Sequence, residues 1–217
     1  EDTLMFKGTS ASAGIGIGNS VIVEEAELVI TRNEVSDAEA EIQRFKGALE
    51  KTIAATQKMA DDLASRVGEK EAEIMQGHMM LLSDPMLTGA IENSVKNDKV
   101  NCEFAIEKVC NMYADMFASM GDELMQQRAT DMRDIKVRMQ RTLMGLESVD
   151  VSLLPKGSIL VAKDLTPSMT AGINPENVSG SVTELGGKTS HSAILARALE
   201  IPAVVAVNGL MDAVKDG

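Results

Sequence analysis

The sequence predicts an α/β domain interrupted by an antiparallel α-helical bundle, and three observations predict it. Short apolar runs of strand character fill the stretch from Phe6 to Ile30. A helical apolar period replaces them across residues 34–144. After Gly145 strand-like runs return, now alternating with short helical segments. The flanks 1–33 and 145–217 are therefore expected to fold together around an insertion at 34–144.

Taken in order, Val21-Ile22-Val23 and Leu28-Val29-Ile30 are the clearest early strands. Between Phe6 and Val21 lies Gly14-Ile15-Gly16-Ile17-Gly18. Strand residues follow these glycines instead of a helix, and no Gly-Lys-Ser/Thr sequence is present, so a nucleotide loop is rejected in favour of a turn with close backbone packing. Ser36-Asp37-Ala38-Glu39 has the pattern of a capping box, with Ser36 as cap. Apolar residues then recur at Ile42, Phe45, Leu49, Ile53, Ala60 and Leu63, spacing that predicts a long helix with one buried stripe. A second helix is predicted from about Glu69 to Leu82, ending at Ser83-Asp84-Pro85 because proline disfavours helical geometry at the residue before it. A third piece carries Leu87, Ile91 and Val95. Further stripes run from Cys102 to Met120 and from Leu124 through Arg128, Met132, Ile135 and Met139. In the second flank, Ser158 to Ala162 is a strand, Thr166 to Thr170 a turn into a short helix, Val178 to Leu185 a strand pair, and Ile201 to Val207 a buried strand.

Composition bounds the function. With 217 residues, 44% hydrophobic and 25% charged, the chain has the make-up of one large or two modest globular domains. Aromatics are only 2% and methionines number 15, so the cores are expected to rely on aliphatic and thioether side chains, with methionine filling gaps. A net charge of -12 and the scarcity of stacking aromatics argue against nucleic-acid binding and favour a basic protein partner. No apolar run reaches the roughly 18 residues that span a bilayer, and no signal-peptide pattern opens the chain, so a cytoplasmic location is the default expectation. Cys102 and Cys110 fall on one predicted helix, about 12 Å apart at the helical rise, too far to bridge. With no third cysteine there is no thiolate metal site, and His78 lacks ligands at metal spacing.

The string most informative about chemistry is Gly186-Gly187-Lys188-Thr189-Ser190-His191-Ser192-Ala193-Ile194-Leu195-Ala196-Arg197. Val182 to Leu185 reads as a strand, the glycines as its exit, and Ala193 to Leu199 as an amphipathic helix, which puts His191 at a helix N-terminus. The first N–H groups of a helix lack internal partners and carry about half a positive charge, so this is an anion-binding position. Thr189, Ser190 and Ser192 are expected to add hydroxyl donors, and Gly186 and Gly187 to let backbone approach a phosphoryl group. The same dipole disfavours a cationic imidazole, and only the neutral ring has a lone pair with which to attack phosphorus. Taken alone, a histidine after a Gly-Gly turn is more often an ordinary polar residue of a first helical turn than a nucleophile.

As a whole the string resembles the phosphohistidine signature of the phosphoenolpyruvate-utilising enzymes. The resemblance implies an α/β phosphohistidine, or swivelling, domain in which His191 carries the phosphoryl group and Arg197 serves as a charge partner for it. The inserted bundle is similar to the layout of the enzyme I branch of the bacterial sugar phosphotransferase system. So are Ala11-Ser12-Ala13-Gly14-Ile15, Gly77-His78-Met79-Met80-Leu81-Leu82 and Arg128-Ala129-Thr130-Asp131-Met132-Arg133-Asp134-Ile135. Ala13 stands where proline is usual in that branch. The dikinase and synthase branches, which pair the domain with a nucleotide-grasp domain, and a non-enzymatic helical module are the alternative readings.

The enzyme I resemblance further implies that the Thr170 hydroxyl hydrogen-bonds one ring nitrogen of His191, leaving the other, Nε2, for phosphorus. Without the resemblance Thr170 is a turn or cap hydroxyl. It also implies a docking surface for a histidine-containing phosphocarrier protein made of Glu69, Lys70, Glu71, His78, Met80, Leu81, Met86, Leu87 and Arg128. No cofactor is expected in this stretch of chain. Phosphoenolpyruvate and magnesium would be bound by a further C-terminal domain, and the full-length protein would be a homodimer.

Overall fold

The computed structural model describes residues 2–187 and 190–217. These form two compact units, one holding the residues up to Glu25 together with Val149–Gly217, the other Ala26–Ser148.

In the first unit, five strands lie in the order β1-β5-β4-β3-β2. They are β1 (Thr9–Ser12), β2 (Asn19–Ile22), β3 (Ser158–Ala162), β4 (Val178–Thr183) and β5 (Ala203–Val205). β2, β3, β4 and β5 run parallel, and β1 closes the edge antiparallel to β5. Parallel strands need crossovers, supplied here by α6 (Pro167–Ala171) between β3 and β4 and by α7 (His191–Ala198) between β4 and β5. The glycine run before β2 is held tightly. A Cβ on Gly16 would collide with the Ser179 carbonyl and one on Gly18 with the Gly157 carbonyl, so these glycines serve backbone approach, in keeping with rejection of a nucleotide loop.

The second unit is a bundle of α1 (Ala38–Arg66), α2 (Glu69–Leu82), α3 (Pro85–Asp98), α4 (Cys102–Ser119) and α5 (Glu123–Met144). Ile42 and Phe45 of α1, Leu82 of α2, Ile91 and Val95 of α3, Ile106 of α4 and Met132, Ile135 and Met139 of α5 join one buried cluster. Each such side chain contributes about 1.5–3 kcal/mol by leaving water. The helix ends are written in the sequence. Asp84 accepts the Met86 N–H just before Pro85 at the first helical position, and Gly145 closes α5 in the left-handed conformation at φ 67°.

Several expectations are corrected. Leu28 to Ile30 form no strand, and residues 26–33 belong with the bundle. Asn101 explains this: its side chain accepts the Asn33 N–H and donates to the Thr31 carbonyl, so this segment is tied to the start of α4. The cap of α1 is Asp37, whose carboxylate accepts the Ala40 N–H, and not Ser36. Val178 to Leu185 is a single strand that ends at Thr183. On α5, Leu124 and Arg128 are exposed, and the buried face instead carries Asp131, Asp134, Gln140 and Arg141. Methionine is only partly a core filler: Met75, Met132 and Met139 are buried, whereas Met5, Met80, Met86, Met112, Met116 and Met120 are exposed. No helix among the described residues is long and apolar enough to cross a membrane.

Candidate functional site

The chain leaves β4 through Gly186, whose φ of 107° suits glycine alone, and enters α7. The helix starts at His191 itself, two residues before Ala193, because Ser190 is a working cap. Its hydroxyl oxygen accepts the Ala193 N–H at 3.2 Å and its proton goes to the Gly187 carbonyl at 2.9 Å. His191 is half-buried at the first helical position, where N–H groups project without helical partners. Among the described residues, a Cβ on Gly187 would meet nothing within 4 Å.

Thr170 lies at the end of α6, which packs against α7, and is 1% exposed. Its hydroxyl donates to the Thr166 carbonyl at 3.0 Å. With its proton committed, the Thr170 oxygen can only accept, and an imidazole N–H is the complementary donor. Ser192 likewise has its proton engaged, at 2.7 Å from the Leu165 carbonyl. In this structure the hydroxyl protons of Ser190 and Ser192 are both used to build the turn. Thr189 lies outside the described residues. Asp164, Leu165, Thr170, Ser190 and Ser192 line one cavity of about 20 Å³ beneath the first turn of α7, close to the room that one water needs. Desolvation pushes the Asp164 carboxyl up, although the Leu165 N–H pulls it the other way and much of the residue still meets solvent.

Arg197 sits in the last turn of α7, six residues from His191 and thus about 9 Å along the axis. Its guanidinium donates to the Ala11 carbonyl on β1 at 2.8 Å, a bond that ties α7 to β1.

The expected docking residues divide by exposure. Glu69, Lys70 and Arg128 are exposed, and so are Met80 at 71% and Met86 at 74%, on either side of the break at Pro85. Glu71 and Leu81 are half-buried, Leu81 packing against the bundle core. His78 and Leu87 are corrected outright. Leu87 is 2% exposed within the core. His78 is fully buried on α2, its Nε2 2.9 Å from Asp131 on α5, with Nδ1 lacking a partner among the described residues. The helical period puts both on the inward face. Asp131 was missed because a carboxylate is not expected in a core; the signal was its place on the face shared with Ile135.

The cysteines are free and buried, and burial pushes both thiols up to about 12. Glu41, Cys102 and Glu103 cluster within ligand range of one another, but the Arg44 guanidinium bonds both carboxylates, so a cation already fills that site.

Comparison with known proteins bears on these features. The N-terminal domain of the PEP-utilising enzymes matches residues 7–128, and the mobile domain of the PEP-utilising enzymes matches residues 154–217, which contain His191. The phosphoenolpyruvate-protein phosphotransferase of Bacillus subtilis (strain 168) is 40% identical over 212 residues, covering 98% of this chain and 37% of the relative. That of Listeria monocytogenes is 43% identical over 200 residues, covering 92% and 35%. A solution structure of an Enzyme I protein superposes with a TM-score of 0.83 at 40% identity, covering 98% of this chain and 87% of that one. A structure described as the N-terminal domain of Enzyme 1 - Nitrogen gives 0.64 at 26% identity, covering 94% and 84%. The chain belongs to the PEP-utilising enzyme family. It spans just over a third of the length of the curated relatives it matches.

Proposed function

We propose that this chain is the phosphoryl-carrying N-terminal part of a phosphoenolpyruvate-protein phosphotransferase, with His191 as the carrier. The observation that carries the reading is the placement of His191 at the first position of α7, directly after the Gly186-Gly187 exit and within the segment matched by the mobile domain. The first-turn N–H groups face an incoming phosphoryl group and offset part of its charge. Thr170, able only to accept, takes the ring N–H and leaves the other imidazole nitrogen bare.

That nitrogen attacks the phosphorus of the donor. An N–P bond forms while the donor's bond to phosphorus breaks, and the departing group keeps the electron pair. When the donor is phosphoenolpyruvate the bond that breaks is P–O, and a further domain of the full-length enzyme would bind that donor, with magnesium there to offset its charge. The onward step passes the group to the histidine of a phosphocarrier protein, whose imidazole attacks in turn. The exposed Met80 and Met86, together with the exposed Glu69, Lys70 and Arg128, contribute to the docking face, and the partner presents a basic surface to this acidic chain. The full-length enzyme is a cytoplasmic homodimer that serves sugar uptake.

The test is to incubate the chain with phosphorylated carrier protein and follow the label. Phosphate on His191 is a phosphoimidazole, lost in acid and retained in alkali. Acid-stable label on a serine would refute the assignment. Without its remaining domain the chain should take no label from phosphoenolpyruvate and magnesium, yet exchange label reversibly with the carrier.

A further inference from the structure

The hydroxyl groups around His191 do unequal work. Ser190 already caps α7, so Ser192, at the second helical position, has no capping duty. Its proton leaves the helix altogether and reaches the Leu165 carbonyl, 27 residues away in sequence, in the loop between β3 and α6. That loop is pinned residue by residue. Asp164 accepts the Leu165 N–H at 2.9 Å, Thr166 caps α6 through the Met169 N–H, and the Thr166 carbonyl receives both the N–H and the hydroxyl of Thr170. A rigid run from Asp164 to Thr170 is thus joined to α7 through the residue next to His191.

We infer that Ser192 is a positioning residue for His191: its bond to the Leu165 carbonyl holds the first turn of α7 against the loop that carries Thr170, and so sets which ring nitrogen is protonated and which is bare. The inference deepens the reading of His191 as carrier and rests on it for its catalytic consequence, though not for its structural one. Phosphoryl transfer needs the bare nitrogen in line with the donor, and a shift of about 1 Å in such a geometry costs up to a hundredfold in rate. A cavity of about 20 Å³ lies beneath this turn, so packing there is incomplete and the Ser192 hydrogen bond spans its edge.

The experiment reads the imidazole directly. Nitrogen-15 shifts of the His191 ring in the unphosphorylated protein should report one dominant neutral tautomer. Ser192→Ala should give a tautomer mixture and slow label exchange with the carrier roughly ten- to a hundredfold, with the melting transition little changed. Ser192→Thr, which restores the hydroxyl, should recover both. Ser192→Val, matched to threonine in bulk but lacking the hydroxyl, should behave as the alanine variant and decides the matter if that variant folds poorly. A single tautomer and full exchange rate in Ser192→Val would overturn the inference, as would slowed exchange with the tautomer untouched. If the unaltered protein takes no label on His191 the carrier reading fails. The ring shifts of Ser192→Val against Ser192→Thr still decide whether the hold exists.

Discussion

The two units bury their polar groups in opposite ways. In the helical unit a continuous aliphatic core encloses paired side chains: His78 with Asp131, Arg138 with Thr56, Gln140 with Glu107. Each pair joins two helices, so the polar contacts fix which helix meets which. The α/β unit also buries large apolar side chains, Leu160, Ile173, Leu195 and Ile201 among them, and its clusters include one of Ala11, Ala193, Ala196, Ala203 and Val205 and another around Val161, Val207 and Leu210. Small side chains bring α7 close to β1 and β5, and the polar groups at its start bond to backbone carbonyls. One unit is a packed body with internal polar ties. The other joins the start of α7 to backbone carbonyls, so its working end is aligned by hydrogen bonds, and the two should fail differently.

The sharpest contrast is predicted at His191. His191→Ala should abolish label uptake while leaving the urea unfolding midpoint nearly unchanged, because a half-buried first-turn residue contributes little packing. Phe45→Ala should do the reverse in kind. It empties a fully buried site and should lower stability by about 3–5 kcal/mol in urea titration. A large stability loss from the first or none from the second would break the comparison.

Within the bundle, Met86 and Leu87 are neighbours with opposite exposure and make a paired test. Leu87→Ala should cost about 2–5 kcal/mol of stability. Met86→Ala should leave the melting temperature alone and raise the carrier's dissociation rate about tenfold if it is an interface anchor. Leu81→Ala, at a half-buried position, should show some of each effect. Unchanged carrier affinity in Met86→Ala would remove that residue from the docking face.

Acid should expose the polar ties of the helical unit. Burial opposes ionisation of Glu107, but Gln140 and Lys136 more than offset it and hold the carboxyl below its usual range. Arg44 does the same for Glu103. A depressed carboxylate binds fewer protons folded than unfolded. Its stabilisation is therefore present above the ordinary glutamate value near 4.3 and is lost as pH falls through the folded value. The stability gap between the unaltered protein and Glu107→Gln should be visible at pH 7 and should shrink progressively below about pH 4.5. A gap that persists at pH 2.5 would count against this account. Smallest of all, Glu69→Gln should slow carrier association by less than about threefold, an effect that added salt removes.

How much was legible depends on whether the controlling interaction was local. The bounds of α2, Glu69–Leu82, follow from Gly68 on one side and Ser83-Asp84-Pro85 on the other. The start of α1 was misplaced by one residue because Ser36 and Asp37 are both good caps, and only the geometry shows which carboxylate or hydroxyl meets an N–H. Leu28-Val29-Ile30 has strand composition, but strand propensity needs a partner edge, and this segment is tied to Asn101 instead. At the site, the position of His191 at a helix start was visible from Gly186-Gly187 and the helix-forming run after it.

By itself, then, the amino-acid order determined the alternation of strand and helix, the place of His191 and the inward stripe of the bundle, because each depends on neighbours within a turn or two. It also carried the family signature. The tertiary structure alone decided where each polar hydrogen goes. Ser192 reaches Leu165, Arg197 reaches Ala11, and His78 turns inward to Asp131. Their partners lie 27 to 186 residues away along the chain, and a hydrogen bond over such separations exists only once packing has brought donor and acceptor within about 3 Å.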